Sequence, residues 1–144
     1  MSVLHQTVLN VIDAYNSWDI EKIMAVRAPE CIQEMLPNTL GIPAMDNAAY
    51  EAWQKNTVLP IFRNLRLEVL DVIEDTENNK VAIWAKSSAE SPIGPYANQY
   101  MLVLHMTKEG DKLVRLREFA DSAYSNEFFP KLRKAMAGGK PTEK

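Results

Sequence analysis

The sequence predicts an α+β domain in which three N-terminal helices pack on one face of a curved, mainly antiparallel sheet. Two observations predict this class. Apolar residues recur at helical spacing early in the chain, and from residue 65 onward they alternate with a period of two. No repeat, low-complexity block or linker divides the 144 residues, so we expect one domain over 1–137 and a flexible tail at 138–144.

The composition argues against several classes of protein. A net charge of −3 without a basic stripe gives no footprint for nucleic acid. No apolar run approaches the roughly 20 residues that span a membrane, and the N-terminus lacks the pattern of a signal peptide. We therefore expect a cytoplasmic protein. Cys31 is the only cysteine, which rules out an internal disulfide and a cysteine-built metal site.

The first helix is predicted over residues 2–17, where apolar residues recur at helical spacing: Leu4, Val8, Val11, Ile12 and Tyr15. Asp19 is a good N-cap for a short second helix, and Pro29 ends it. Arg27 lies at the end of the apolar stripe of this second helix. Two interpretations stay open for its guanidinium: it reaches out to water, or it points into a pocket and meets Glu118.

A short strand is predicted over residues 30–36, followed by a loop over 37–46 that contains two prolines and a glycine. Loops of this kind often form the mouth or lid of a pocket. Asp46 or Asn47 is expected to cap a third helix that runs to about residue 62.

Four strands in a meander are predicted for the second half of the chain. The alternation slips at residues 71–73, which indicates a bulge. A turn follows at 75–79, and the next strand runs from Val81 to about Glu90. A last helix is predicted over residues 122–137.

The last two strands are predicted to form a long β-hairpin within residues 94–122. The sequence Glu-Gly-Asp at its tip suits a three-residue loop with the glycine in the left-handed conformation. The resulting register pairs Leu104 with Leu116 and Leu102 with Glu118.

Alternation places four polar groups on one otherwise apolar face of this hairpin: Tyr96, Asn98, Tyr100 and Glu118. A carboxylate there costs free energy unless it has partners, and an apolar pocket raises its pKa toward neutral pH. Glu118 is therefore the candidate general acid–base, or else one half of a buried salt bridge without chemistry. Asp121 is either a supporting catalytic group or a cap for the last helix.

Other kinds of chemistry lack support in the sequence. His105 falls on the opposite face of the hairpin, beside Arg115 and Arg117, so we expect it to be exposed. A G-x-S-x-G elbow, a phosphate-binding glycine loop, a Rossmann fingerprint and a zinc spacing are all absent. We therefore expect neither a metal nor a cofactor.

Three stretches of the chain resemble a known family. They are Y-x-N-x-Y at residues 96–100, R-E-F-x-D-S at 117–122 after a glycine-containing turn, and R-A-P-E-C at 27–31. Together they resemble the SnoaL-like branch of the NTF2-like superfamily, over nearly the whole chain. The pattern is most similar to small fungal members of secondary-metabolite pathways, which include cofactor-free isomerases of meroterpenoid pathways and a semipinacolase of indole-alkaloid assembly.

The resemblance implies a cone-shaped α+β barrel, commonly a homodimer through the outer face of the sheet. By position, it places the family's catalytic groups on four residues, with Asn98 and Asp121 in support: Arg27, Tyr96, Tyr100 and Glu118. Bacterial polyketide cyclases of this branch often use a His–Asp pair inside the cone. Because His105 is expected to face outward, their aldol mechanism should not be assumed.

We expect a cofactor-independent isomerase or cyclase of a polycyclic apolar metabolite: a polyketide, a meroterpenoid or an indole alkaloid. Glu118 would move the proton, Arg27 would set its charge state, and an apolar wall would hold the substrate. That wall is expected to contain Tyr50, Trp53, Leu102, Leu104 and Leu116. Two alternatives stay open: a non-catalytic module that binds a small ligand or a protein, and a dehydratase that uses the same residues.

Overall fold

The computed structural model describes residues 2–138, which form five strands and four α-helices. The helices are α1 (Val3–Ser17), α2 (Ile20–Ala25), α3 (Asn47–Trp53) and α4 (Ser122–Gly138). The strands are β1 (Arg27–Leu36), β2 (Arg63–Asp75), β3 (Lys80–Ser91), β4 (Gly94–Met106) and β5 (Leu113–Ala120). They form one sheet in the order β1–β5–β4–β3–β2, in which only the β1–β5 pair is parallel. The predicted fold class is confirmed. The predicted tail lies outside the described residues, except for Gly138.

The helix caps follow from the sequence, but the boundary between α2 and β1 does not. The side chain of Asp19 accepts a hydrogen bond from the backbone N–H of Glu21 at 2.8 Å, as expected of an N-cap. The helix that it caps ends at Ala25, and Arg27 is already the first residue of β1. The expectation that Arg27 ends a helical stripe is therefore wrong. This difference determines where its side chain lies.

The segment around α3 departs from a regular helix. Asp46 caps α3 as predicted, since its Oδ1 accepts the Ala49 N–H at 2.9 Å. The helix then widens into a π-helical turn over Gln54–Val58 and does not continue regularly to residue 62. In the preceding loop Leu40 and Ile42 are exposed, and its role as a pocket mouth or lid stays a prediction.

The strands of the central hairpin pair in the predicted register: Leu104 faces Leu116, and Leu102 faces Glu118. The predicted bulge in β2 is confirmed by a shift of register after Val69. The three-residue loop is wrong, because a register shift after His105 leaves all of residues 107–112 outside the strands.

This longer loop is attached to α1. Gly110 has a φ of 79°, and a Cβ there would come within 3.3 Å of Val3. The hydroxyl of Thr7 donates a hydrogen bond to the Gly110 carbonyl at 2.6 Å. The tip of the hairpin is thus set by its contact with the first helix and not by turn geometry alone.

The core lies between α1 and the inner face of the sheet. Leu4, Val8 and Val11 of α1 pack there against fully buried strand residues, which include Ile83 and Leu104. A second group of apolar residues brings α4 onto the end of the β3–β4 hairpin: Phe62, Ala89, Tyr96, Phe128 and Leu132. Helices therefore cover the inner face at both places, and that face is the interior of the domain.

The outer face of the sheet is polar in one part and apolar in another. Glu34 forms ion pairs with Arg115 at 2.7 Å and Arg117 at 2.8 Å. Nearby, Trp84 and Phe119 are exposed and line a shallow cleft of about 350 Å³. The expected homodimer through this face stays a prediction. Within residues 2–138 no helix has both the length and the apolar character needed to cross a membrane.

One side chain fixes α1 to the edge strand of the sheet. Asn16 Oδ1 accepts the backbone N–H of Leu67 at 2.6 Å, and its Nδ2 donates to the Leu67 carbonyl at 3.3 Å. We expect Asn16→Ala to lower the free energy of unfolding by about 1–3 kcal/mol, because it removes both bonds from a partly buried strand. Urea denaturation measures this, with the exposed Asn10→Ala as a control within about 0.5 kcal/mol of wild type. Equal effects of the two changes would contradict the assignment.

Candidate active site

Glu118 lies on the inner face of the sheet, between Leu102 of β4 and Met35 of β1. Protein atoms enclose its carboxyl, yet the residue keeps some accessible surface. Among residues 2–138 the carboxyl has neither a hydrogen-bond partner nor a salt bridge. Burial alone raises the pKa of Glu118 from 4.5 to about 7. The carboxyl can therefore hold or release a proton near neutral pH.

Four residues of the neighbouring strands form what we call the β4 phenol cluster: Ser87, Tyr96, Asn98 and Tyr100. The Tyr96 and Tyr100 hydroxyls hydrogen-bond each other at 3.2 Å. Asn98 Nδ2 donates to the Tyr96 hydroxyl at 2.9 Å, and Ser87 hydrogen-bonds Tyr100 at 2.7 Å. Burial raises the pKa of both phenols, and the negative charge of Glu118 raises them further. Both phenols thus stay protonated. The bond between them uses one of their two protons, so one of the two hydroxyls can donate to a ligand.

A second polar group, which we call the helix phenol cluster, comes from the helical layer: Tyr15, Tyr50 and Gln54. The Tyr15 and Tyr50 hydroxyls are 2.5 Å apart, and Gln54 Nε2 donates to Tyr50 at 2.8 Å. Burial raises the pKa of Tyr15 to about 12, and the Glu118 charge also raises it. The sequence signals Tyr15 only as one member of an apolar helical stripe, so its hydrogen bond with Tyr50 was not predicted.

Arg27 is buried beneath α3 and does not contact Glu118. Its Nε donates to Asn47 Oδ1 at 2.8 Å and its Nη1 donates to Gln33 Oε1 at 2.9 Å. Its guanidinium carbon lies 4.2 Å from the centre of the Tyr50 ring. Both sequence interpretations are therefore wrong: the guanidinium neither reaches water nor pairs with Glu118. The side chain starts from the first residue of β1, and from there it reaches α3.

The positive charge of Arg27 acts on the helix phenol cluster. It lowers the pKa of Tyr15 and Tyr50, in each case against a larger rise from burial. It is not among the causes of the shift at Glu118, so Arg27 does not set the charge state of the carboxyl as the sequence had suggested.

Three buried polar atoms around Arg27 have no hydrogen-bond partner within the described part of the chain: Arg27 Nη2, Gln33 Nε2 and Gln54 Oε1. Each belongs to a side chain that is at most 5% exposed. An unpaired buried polar group costs about 1–3 kcal/mol. The region where β1 meets α3 therefore has a capacity for polar contacts that these residues do not use among themselves.

The remaining residues discussed from the sequence, Asp121 and His105, lie away from the inner face that carries Glu118. Asp121 is exposed, and its carboxyl accepts the Tyr124 N–H at 3.1 Å, which is the capping role left open above. His105 lies on the outer face as predicted, but it is half-buried there and not fully exposed, with its Nε2 3.5 Å from Arg117. In residues 2–138 no group of three or more His, Cys, Asp and Glu side chains could hold a metal ion.

The expected apolar wall is only partly available to a ligand. Leu104 is fully buried and Leu116 is 3% exposed, so both pack in the core. Leu102 is also largely buried, next to Glu118. Trp53 keeps accessible surface beside Tyr50, with their ring centres 6.0 Å apart.

Comparison with known proteins finds relatives in fungi. The protein named monooxygenase dmxR10 of Cryptosporiopsis is 30% identical over 132 residues, which cover 90% of this chain and 87% of that protein. Core atranone cluster protein 11 of Stachybotrys chlorohalonatus is 30% identical over 127 residues, 88% of this chain and 94% of its own. No family model matches the chain.

Solved structures have the same fold. The BvnE pinacolase of Penicillium brevicompactum superposes with a TM-score of 0.88 at 28% identity, covering 94% of this chain and 96% of its own. PrhC of Penicillium brasilianum gives 0.87 at 20% identity, with 95% and 92% covered. An NTF2-like protein of unknown function from Burkholderia pseudomallei gives 0.72 at 16% identity, with 87% and 95% covered.

The raised pKa of Glu118 makes stability depend on pH. Since the folded state holds this proton more tightly than the unfolded state, the free energy of unfolding falls as pH rises from about 4.5 to about 7 and then levels off. We expect Glu118→Gln to be more stable than wild type at pH 8, by roughly 2–3 kcal/mol at most, with the gain fading toward pH 4.5.

Urea denaturation at both pH values measures this difference. Glu109→Gln, in the exposed β4–β5 loop, is the control and should give the same pH profile as wild type. A Glu118→Gln variant whose stability parallels wild type at both pH values would contradict the raised pKa.

Proposed function

The chain belongs to the SnoaL-like branch of the NTF2-like superfamily, and from that membership we propose that it is an enzyme of secondary metabolism. The reaction we propose is the isomerisation or cyclisation of a polycyclic apolar metabolite by acid–base catalysis, without a cofactor. One observation carries the proposal: Glu118, unpaired and with a pKa of about 7, lies on an apolar interior face among protonated phenols. The substrate classes expected from the family are polyketides, meroterpenoids and indole alkaloids.

Glu118 performs the proton transfer in this mechanism. Its carboxylate takes a proton from a substrate carbon next to a carbonyl, and the C–H electron pair moves toward the carbonyl oxygen, which becomes an enolate. In an isomerisation the proton returns to another carbon; in a cyclisation the enolate carbon attacks a second carbonyl, whose oxygen takes the proton. Either way Glu118 is restored and the product has the mass of the substrate.

The β4 phenol cluster stabilises the negative charge that develops on oxygen. Tyr96 and Tyr100 stay protonated at neutral pH because burial raises their pKa values. Asn98 donates to Tyr96, and this fixes the position of its hydroxyl in the site. Donors held in advance in a site that excludes water stabilise a developing oxyanion more than water does.

The solved structure of a pinacolase supports a rearrangement, because it is similar to this chain in both fold and sequence. The names of other relatives support a second candidate, since several are called monooxygenases. For that reaction Glu118 would take a proton from a CH₂ group of the substrate and form the same carbanion. Molecular oxygen would then react at that carbon, so that overall the CH₂ group and O₂ give a carbonyl and water. Product mass and oxygen uptake separate the two reactions.

The role of Glu118 is tested by Glu118→Gln assayed on extracts or synthetic substrates of the three classes. We expect kcat to fall roughly 10²- to 10⁴-fold, because the variant cannot take a proton. Wild type should convert the substrate without change of mass, and Glu109→Gln should match it. Full turnover by folded Glu118→Gln would rule out the acid–base role. A product lighter than the substrate by one water would indicate a dehydratase. Binding without conversion by wild type would indicate a carrier.

Asp121 is expected to act on stability and not on chemistry. Its carboxyl caps α4 through the Tyr124 N–H, so Asp121→Ala should lower the free energy of unfolding by about 1 kcal/mol. We expect kcat and its pH profile to stay at the wild-type values. A tenfold loss of kcat in folded Asp121→Ala would instead place this carboxyl in the reaction, and Asp121→Asn, which can still cap the helix, would then share the loss.

A further inference from the structure

Two pairs of phenols from different layers of the fold form hydrogen-bonded hydroxyl pairs, one within the sheet and one within the helical layer. Tyr96 and Tyr100 come from the sheet, whereas Tyr15 and Tyr50 come from α1 and α3. The charge of Glu118 affects all four hydroxyls. The resemblance accounts for the sheet pair. It assigns nothing to Tyr15, which is partly exposed.

The hydrogen bonds of the helix phenol cluster have a direction. Gln54 Nε2 can only donate, so the Tyr50 oxygen accepts that bond at 2.8 Å. The Tyr50 proton is then available for Tyr15, 2.5 Å away. The hydrogen bonds therefore run from Gln54 to Tyr50 and from Tyr50 to Tyr15. Among residues 2–138 no acceptor takes the proton of the Tyr15 hydroxyl. Tyr15 is therefore the donor through which the cluster can reach a ligand.

The surroundings of Tyr15 favour an oxygen atom that carries negative charge. Arg27 stacks on Tyr50, and its Nη2 has no partner within the described residues. Gln33 holds Arg27 through its Oε1, which leaves the Gln33 Nε2 donor unused as well. These donors and the guanidinium charge belong to β1, the strand that pairs with β5 at Glu118, and Arg27 reaches α3 through Asn47 and Tyr50.

We propose that Tyr15 is a further catalytic residue, which donates a hydrogen bond to a second oxygen of the substrate from the helical side of the site. This inference rests on the proposed function and deepens it by defining the substrate. The substrate carries two oxygen functions, as a hydroxyketone or a diketone does. One oxygen binds the β4 phenol cluster, the other binds Tyr15, and Glu118 takes the proton between them.

The experiment uses an oxyanion that resembles the enolate. The probe is a naphthol with a pKa near neutrality, whose absorbance distinguishes the bound anion from the bound neutral form; its methyl ether serves as a probe that cannot ionise. Binding is measured in Glu118→Gln, which imitates the protonated carboxyl left after proton transfer, and in the same variant with Tyr15→Phe. Tyr124→Phe is the matched control, because its hydroxyl also has one hydrogen bond, to the Ala97 N–H at 3.1 Å, outside the site.

We expect Tyr15→Phe to weaken binding of the naphtholate roughly 10- to 100-fold and to leave binding of the methyl ether unchanged. Tyr124→Phe should change neither. Equal weakening of both probes would show that Tyr15 only supports the structure, and it would overturn the proposal. Unchanged naphtholate binding, or no naphtholate binding by Glu118→Gln itself, would overturn it as well.

The result is independent of the test of Glu118. If Glu118→Gln keeps full turnover while Tyr15→Phe still weakens the naphtholate, the acid–base function fails and the second oxygen site stands. If Glu118→Gln loses turnover and Tyr15→Phe binds the naphtholate as before, the acid–base function stands and the role of Tyr15 fails.

Discussion

The candidate site depends on one unfavourable burial: the carboxyl of Glu118 lies on an apolar sheet face without a partner in the described residues. A carboxyl in such a place remains neutral more readily than in water, which moves its pKa from 4.5 to about 7. The free energy that this costs is offset by the core around it, where α1 packs on fully buried strand residues such as Leu104 and Ile83. The rest of the site is arranged around that carboxyl.

The separation of Arg27 from Glu118 has a chemical consequence. An ion pair at close range would lower the pKa of the carboxyl, and Glu118 would then carry no proton at neutral pH. Asn47 and Gln33 instead hold the guanidinium above the Tyr50 ring. Its charge thus acts on Tyr15 and Tyr50, while burial alone raises the pKa of Glu118. The guanidinium charge and the carboxyl with a raised pKa therefore lie in different parts of the site, whereas an ion pair between them would have lowered that pKa.

The proposed proton abstraction is compatible with relatives of different names, a pinacolase and several monooxygenases. Removing a proton inside an apolar cone yields an electron-rich substrate that can rearrange, close a ring or react with oxygen. Which of these follows depends on the substrate and on the donors that hold its oxygens, so a shared fold does not decide the reaction. In this chain the donors come from two layers, the β4 phenol cluster and the helix phenol cluster.

The sequence by itself determined which hairpin side chains share the inner face. Alternation along a strand is a local property, and it placed Tyr96, Asn98, Tyr100 and Glu118 together in the register that the structure shows. Capping residues are equally local, so the starts of α2 and α3 followed from the sequence. Only the tertiary structure decided the position of Arg27 and the meeting of Tyr15 with Tyr50. These depend on where a helix yields to a strand and on where the rest of the fold places α1 and α3, and both are set by contacts between residues far apart in the chain.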